Sequence, residues 1–208
     1  LWRGYLRTGM QQFLSLTLVA LDNMGRGGIY DHLGGGFSRY AIDEQWQIPH
    51  FEKMLYDNAQ LLELMTLVWQ QGRQPVLRNK IEETVAWALR EMRVEGAGFA
   101  SSLDADSEGK EGKFYFWTES EIDAVLAGTN ADRFKQAYGV TRDGNLPHEG
   151  KPTGRNILHR IANLPAWTEA EEPNFATQRQ LLFETREQRV RPGRDEKILA
   201  SWNALMIA

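Results

Sequence analysis

Between Gly27 and Ala59 the sequence GGIYDHLGGGFSRYAIDEQWQIPHFEKMLYDNA carries five glycines, two histidines, five carboxylates, two cations and six aromatic rings. Helices normally connect through about 2–8 residues, so a segment this long and this rich in reactive groups marks a site. Asp31, His32, Arg39, Asp43, Trp46, His50, Glu52 and Lys53 are the side chains suited to a polar ligand. His50 can move protons near neutral pH, and the carboxylate of Glu52 can set its tautomer. The competing reading is structural: Glu52 caps the next helix, Lys53 pairs with Asp57 four residues on, and His50 is a satisfied imidazole.

A second cluster, FASSLDADSEGKEGKFYFWT, contributes Asp104, Asp106, Glu108 and Glu111. Its D-A-D-S-E-G matches the first half of a helix–loop–helix calcium site. Position twelve of that pattern falls on Tyr115, where a bidentate Glu is required, which argues against calcium. A carboxylate pair facing the first loop is the functional alternative, since glycoside hydrolysis uses two carboxyl groups about 5–10 Å apart. A charged hairpin tip is the structural one. Aromatic residues flank both loops (Tyr40 and Trp46 in the first, Tyr115 and Trp117 in the second), and flat rings of this kind stack on the C–H faces of sugars. GGIYDHLGGG is not a phosphate loop, because no Gly-Lys-Ser/Thr follows it.

Helices must position these loops. Apolar residues at helical spacing predict helices over 4–24, 51–71 and 76–94. The first two have broad apolar faces, whereas the third has a narrow stripe. A short hairpin from Phe37–Tyr40 and Trp46–Ile48 is expected inside the first loop. Thr118 and Glu121 form a capping box for a helix over 119–127. Further helices are expected at 130–138, at 175–190 and after Asp195, with residues 139–172 irregular. Alternating broad and narrow faces predict an all-α fold in which two concentric rings of helices carry the loops, with short β-hairpins between them.

The 208 residues carry a formal charge of −4 and no cysteine. That gives no general attraction to nucleic acid or anionic membrane and provides no disulfide, thiolate metal site or cysteine nucleophile. The basic run Arg186–Arg194 reads as a solvated helix end. With no long apolar stretch and no signal peptide, a soluble cytoplasmic protein is expected. The first residue is Leu1, and KILASWNALMIA stops within an apolar helical pattern, so residues 1–208 are expected to be a fragment of one domain. Apolar positions such as Leu55, Leu62, Trp69, Ile198 and Trp202 would then lack partners, and the fragment would self-associate.

Three blocks, GGIYDHLGGGFSRYAIDEQWQIPHFEKMLYDNAQLL, SLDADSEGKEGKFYFWT and RPGRDEKILASWNALMI, resemble those of the thioredoxin-like, spermatogenesis-associated protein family. More distantly, the first block is similar to the glycine-rich segment of N-acylglucosamine 2-epimerases. The resemblance implies a thioredoxin-like domain followed by an (α/α)6 toroid of the six-hairpin glycosidase type, of which this chain would be roughly the first half. It implies a sugar-like substrate and a thioredoxin-like domain of the same full-length chain as partners, with no cofactor or metal. On this reading His50 or Glu52 is the acid or base and Asp104 and Asp106 are carboxylate partners. Trp46, Tyr115 and Trp117 form a stacking surface, Arg39 and Lys53 take an anionic group, and Asp31, His32 and Tyr40 complete the binding set. The reaction would be epimerisation, isomerisation or glycoside hydrolysis. The alternative is a non-catalytic glycan- or protein-binding module attached to the thioredoxin-like domain.

Overall fold

The computed structural model describes residues 1–147, 149–161 and 168–208. The chain is helix-rich with a few two-residue strands, compatible with the expected all-α class. Part of the expected irregular stretch 139–172 lies outside the described residues.

The first expected helix is two, α1 (Trp2–Thr8) and α2 (Gln11–Arg26). Gly9 takes the left-handed conformation, φ 70°, and its N–H caps the Tyr5 carbonyl, which ends α1. The second helix, α3 (Leu55–Gly72), starts later than expected because Lys53 and Met54 form a strand, β1. Arg73 ends α3 in the left-handed region, and Pro75, already at the φ a helix needs, opens α4 (Pro75–Trp87). The expected third helix does not run to 94. It widens into a π-helical turn over Ala88–Met92 and then turns into β2 (Arg93–Val94), which pairs with β3 (Gly98–Phe99).

Strand β4 (Ser102–Leu103) lies between β1 and β7 (Arg194–Asp195) in an antiparallel sheet, with Lys53 opposite Leu103 and Leu103 opposite Arg194. This sheet binds the first loop to the second. Strands β5 (Asp106–Ser107) and β6 (Lys110–Glu111) make a tight hairpin, and Glu108 and Gly109 at its tip both have positive φ, as a two-residue turn of this hand requires. The capping box on α5 (Glu119–Val125) is present as read, and α6 (Ala131–Ala137) follows. Helix α7 spans Glu172–Arg186 and α8 spans Ala200–Ile207.

Helix α3 packs against both α4 and α8. One apolar core gathers Leu21, Tyr30, Phe37, Met65, Val68 and Leu77, and a second gathers Trp117, Ile122, Leu126, Phe134, Phe175 and Leu182. The expectation that Leu55 is unpartnered is corrected: it is fully buried against Trp87 and Met92, and Trp202 rests on Tyr56 with ring centres 4.6 Å apart.

Among the contacts that fasten the first loop to this frame, two lie at Phe37 and Gly36. Asn58, fully buried on α3, accepts the Phe37 N–H at 2.7 Å and donates to the Phe37 carbonyl at 2.9 Å. At Gly36, φ is +80° and a Cβ would stand 2.7 Å from the Trp87 ring. Gly36→Ala therefore combines backbone strain with overpacking and is expected to cost about 2–4 kcal/mol, read as a lowered urea midpoint with unchanged slope.

Candidate functional site

The first loop sends its charged side chains to two different places. Asp31, Lys53 and Arg186 form a buried ion triad, with side chains 7%, 1% and 2% exposed. Arg186 grips Asp31 in a bidentate fork, Nη1 to Oδ1 at 2.8 Å and Nη2 to Oδ2 at 2.9 Å. Lys53 donates to Asp31 Oδ2 at 2.9 Å and to the Gly35 carbonyl at 2.8 Å. The N–H groups of Leu33 and Gly34 add two bonds to Oδ1, each 3.0 Å. Burial alone would raise the Asp31 pKa, but the charges of Arg186 and Lys53 win and hold it well below the usual carboxylate range. Burial pushes Lys53 down, and Asp31 opposes that. Lys53 also lies 5.2 Å from the centre of the Tyr115 ring and 5.5 Å from that of Trp87.

Several sequence expectations are corrected here. Lys53 and Asp31 do not await a ligand, because they satisfy one another. Lys53 does not pair with Asp57, since β1 places it before the helix. Arg186 does not belong to a solvated helix end. Trp117 is 1% exposed and packs in the second core beneath Arg189, so it offers no stacking surface. Tyr115 stacks on Phe51, and burial raises its phenol far above the ordinary value. His32 is buried with Nε2 3.0 Å from the Gly27 carbonyl, and burial drives its pKa well down, so the ring is neutral. The space beside the triad is about 20 Å³, that of one water molecule.

Arg39, Tyr40 and Trp46 of the first loop, with Asp57 and Gln60 of α3, line an open cleft of about 450 Å³ with a Leu61–Leu64 floor; Asp43, His50 and Glu52 are not among its lining residues. The hairpin lies further along the loop than expected, pairing residues 40–42 with 48–50 rather than 37–40 with 46–48, while Phe37 bridges Tyr30. Ala41 bridges Pro49, the Ile42 N–H bonds the Ile48 carbonyl and the His50 N–H bonds the Tyr40 carbonyl. Asp43 supports the turn by accepting the N–H groups of Gln45, Gln47 and Ile48. Trp46 and Phe51 hold positive φ, 61° and 65°, which bulky residues keep only where the surroundings impose it. The His50 ring stacks on Tyr40 at 4.6 Å, and its Nδ1 is buried without a hydrogen bond. Arg39 reaches Glu52, Nη1 to Oε2, at 3.3 Å.

Asp57 is the residue that sequence reasoning undervalued. Its Oδ2 is buried and makes no hydrogen bond. Burial raises its pKa, Arg39 and Tyr56 oppose that rise, and the charge of Glu52 adds to it. Glu52 thus has a carboxyl neighbour, but it is Asp57. Asp104 and Asp106 are exposed on the β4–β5 connection, where Asp104 Oδ1 accepts the Asp106 N–H at 3.2 Å. Among the described residues no hydrogen bond joins them to His50 or Glu52. The two loops do meet, through the β1–β4 pairing and the Phe51–Tyr115 stack. The available signal for Asp57 was its position one turn into a helix that follows a polar loop.

Among the described residues, no three His, Asp or Glu side chains converge in a way that could hold a metal, and no helix is long and apolar enough to cross a membrane.

No protein-family model matches the chain. The chain is 32% identical over 219 residues, 93% of its length, to the human (Homo sapiens) protein named spermatogenesis-associated protein 20, and likewise to that of Mus musculus. It is 29% identical over 213 residues to an uncharacterized protein of Caenorhabditis elegans. These relatives support the spermatogenesis-associated family that the three blocks resemble. The chain spans 28% of the length of the human relative.

Removing Arg186 takes two charge-assisted hydrogen bonds from the buried Asp31 carboxylate and leaves Lys53 as its one cation partner in the triad, so Arg186→Met is expected to lower stability by about 3–5 kcal/mol in urea denaturation at pH 7. The folded pKa of Asp31 lies below its unfolded value of about 4, so its contribution is complete above that pH and is lost as the pH falls through the folded value. The stability gap between wild type and Asp31→Asn should accordingly narrow as the pH is lowered below about 4.

Proposed function

We propose that the chain is the first half of an (α/α)6 toroid in a spermatogenesis-associated family protein, and that the Arg39–Asp57 cleft is its sugar site. Two observations fit a further layer of helices: the relatives are several times longer, and Leu16, Val19 and Ile207 are exposed on α2 and α8. The same surfaces would let the isolated segment self-associate. A thioredoxin-like domain would lie elsewhere in the full-length chain.

The observation that carries the reading is the Asp57 carboxyl. A half-buried acid with one enclosed, unpartnered oxygen and a raised pKa, next to a cation and two aromatic rings, has the make-up of a proton donor. Tyr40 and Trp46 would stack on the sugar face, and Arg39 would hold an oxygen of the substrate. In epimerisation or isomerisation a base takes the proton beside the carbonyl while the acid protonates the carbonyl oxygen, and return of the proton completes the exchange. His50 and Glu52 are the base candidates, with Asp57 as the acid. In hydrolysis Asp57 would protonate the glycosidic oxygen and Glu52 would activate water. The unbonded His50 Nδ1 favours the epimerase or isomerase reading.

The test uses the full-length protein and proton NMR in D2O with a panel of reducing sugars and disaccharides. Epimerisation or isomerisation exchanges deuterium into the position beside the carbonyl, whereas hydrolysis releases a new reducing end. Asp57→Asn is expected to lower kcat by about a hundredfold or more with unchanged circular dichroism. Equal turnover by wild type and Asp57→Asn would remove Asp57 from the mechanism. Neither turnover nor sugar binding by the wild type would remove the carbohydrate reading.

A further inference from the structure

The Arg39–Asp57 cleft changes character along its length. Asp57, Gln60, Leu61 and Leu64 all line it, and their spacing places them on one face of α3. At about 1.5 Å per residue, the rise from Asp57 to Leu64 is about 10 Å. The acid stands in the first turn of the helix, the amide of Gln60 in the next, and the leucines lead away from them. Arg39 belongs to the acid end, because its charge is near enough to oppose the raised pKa of Asp57.

The other end is aliphatic. Met24, near the end of α2, and Ile29, at the start of the first loop, line the cleft with the two leucines, and all four belong to one apolar cluster. Ile29 is buried within that cluster, whereas Met24, Leu61 and Leu64 remain partly open to water. None of these side chains can donate to a hydroxyl, and only the thioether of Met24 can accept from one, weakly.

Two kinds of occupant would use the polar end alike and differ at the aliphatic one. The volume, about 450 Å³, suits a ligand larger than a single sugar ring. A second sugar ring would set hydroxyl groups against Leu61, Leu64 and Met24 and lose their hydrogen bonds to water without replacement. A hydrocarbon chain has no such bonds to lose, and it takes both itself and the three open side chains out of water. The lining therefore favours a chain over a disaccharide.

We propose that the ligand of this cleft is an amphiphilic sugar, a single ring at the Arg39–Asp57 end carrying an unbranched alkyl chain that lies over Leu61, Leu64 and Met24. The proposal rests on the reading of the cleft as a sugar site and names the substrate class within it. The polar end fixes the ring through charge and hydrogen bonds. The aliphatic end supplies affinity in proportion to the chain buried, which makes chain length the quantity to vary.

The experiment uses the full-length protein and isothermal titration calorimetry with maltose and with methyl, butyl and hexyl glucoside, each below the concentration at which it forms micelles. Affinity is expected to rise by about two- to fourfold for each added methylene, the factor that burying a methylene in part or in full supplies. Hexyl glucoside should bind more tightly than maltose, and the heat-capacity change of binding should become more negative as the chain lengthens. Leu61→Asn and Leu64→Asn should each remove much of the gain from methyl to hexyl while leaving the affinity for methyl glucoside unchanged. Leu89→Gln, exposed on the π-helical turn outside the cleft, should leave the whole series unaltered. Circular dichroism selects the variants that fold, and Met24→Gln replaces either leucine variant that does not. Equal affinity for methyl and hexyl glucoside, or a chain-length gain that survives in the folded cleft variants, would overturn the amphiphilic ligand and leave the sugar reading standing. Failure of every glucoside to bind would also overturn it, and the turnover panel decides the sugar reading separately.

Discussion

The buried carboxylate of Asp31 is the constraint on which the rest depends. An isolated carboxylate in this interior would be intolerable, and one cation at one distance would not offset its desolvation. Here two cations and two backbone N–H groups converge on it, and Lys53 spends a further bond on the Gly35 carbonyl. The partners come from β1 and from the end of α7, 22 and 155 residues away in sequence. A single side chain thus joins the glycine-rich loop, the central sheet and the C-terminal third of the chain. Gly34 follows from the same need. At Gly34 a Cβ would stand 2.4 Å from the Arg186 guanidinium, so the backbone approaches the triad only where no side chain intervenes.

This triad also decides where the cleft residues go. Alternation along a strand sends Lys53 to one side and its neighbours to the other. With Lys53 drawn inward, Glu52 turns toward Arg39, whose own N–H bonds the Glu52 carbonyl at 2.7 Å. Met54 then leads into α3, which presents Asp57 to the cleft and Asn58 to the Phe37 backbone in consecutive positions. The rigid contact and the reactive group sit side by side, so the carboxyl is held by the most firmly fixed turn of the helix.

Composition and periodicity made the helices legible, and loop length with its cluster of polar residues drew attention to the segment that holds Asp31, Lys53 and the hairpin. The capping box at Thr118 and the presence of a hairpin in the first loop follow from local chemistry, which sequence states directly. The break at Gly9 was missed because apolar spacing continues across it, although a glycine offers the left-handed turn. The π-helical turn after Trp87 was missed because its apolar stripe also continues. The triad was invisible for a different reason. Asp31 and Arg186 are paired by tertiary structure alone, and nothing local distinguishes a buried arginine from the exposed ones that follow it. The same gap sent Lys53 to Asp57 on helical spacing, when a two-residue strand had already turned it inward.

The contrast between the two kinds of polar group carries the functional argument furthest. In the triad the Asp31 carboxylate is met by two cations and two backbone N–H groups that hold it charged, although Arg186 Nε is itself buried without a hydrogen bond. The cleft leaves Asp57 Oδ2 buried without a partner, His50 Nδ1 is likewise unbonded in the stack on Tyr40, and Trp46 and Phe51 of the same loop hold positive φ. Each of these features opposes folding by itself, and the triad's rigid frame is what makes them tolerable. Stability is thus tied to Asp31, Lys53 and Arg186, and the proposed reactivity rests on Asp57 and His50. A polar group that fails to find its partner within the chain is one that can meet it in a ligand.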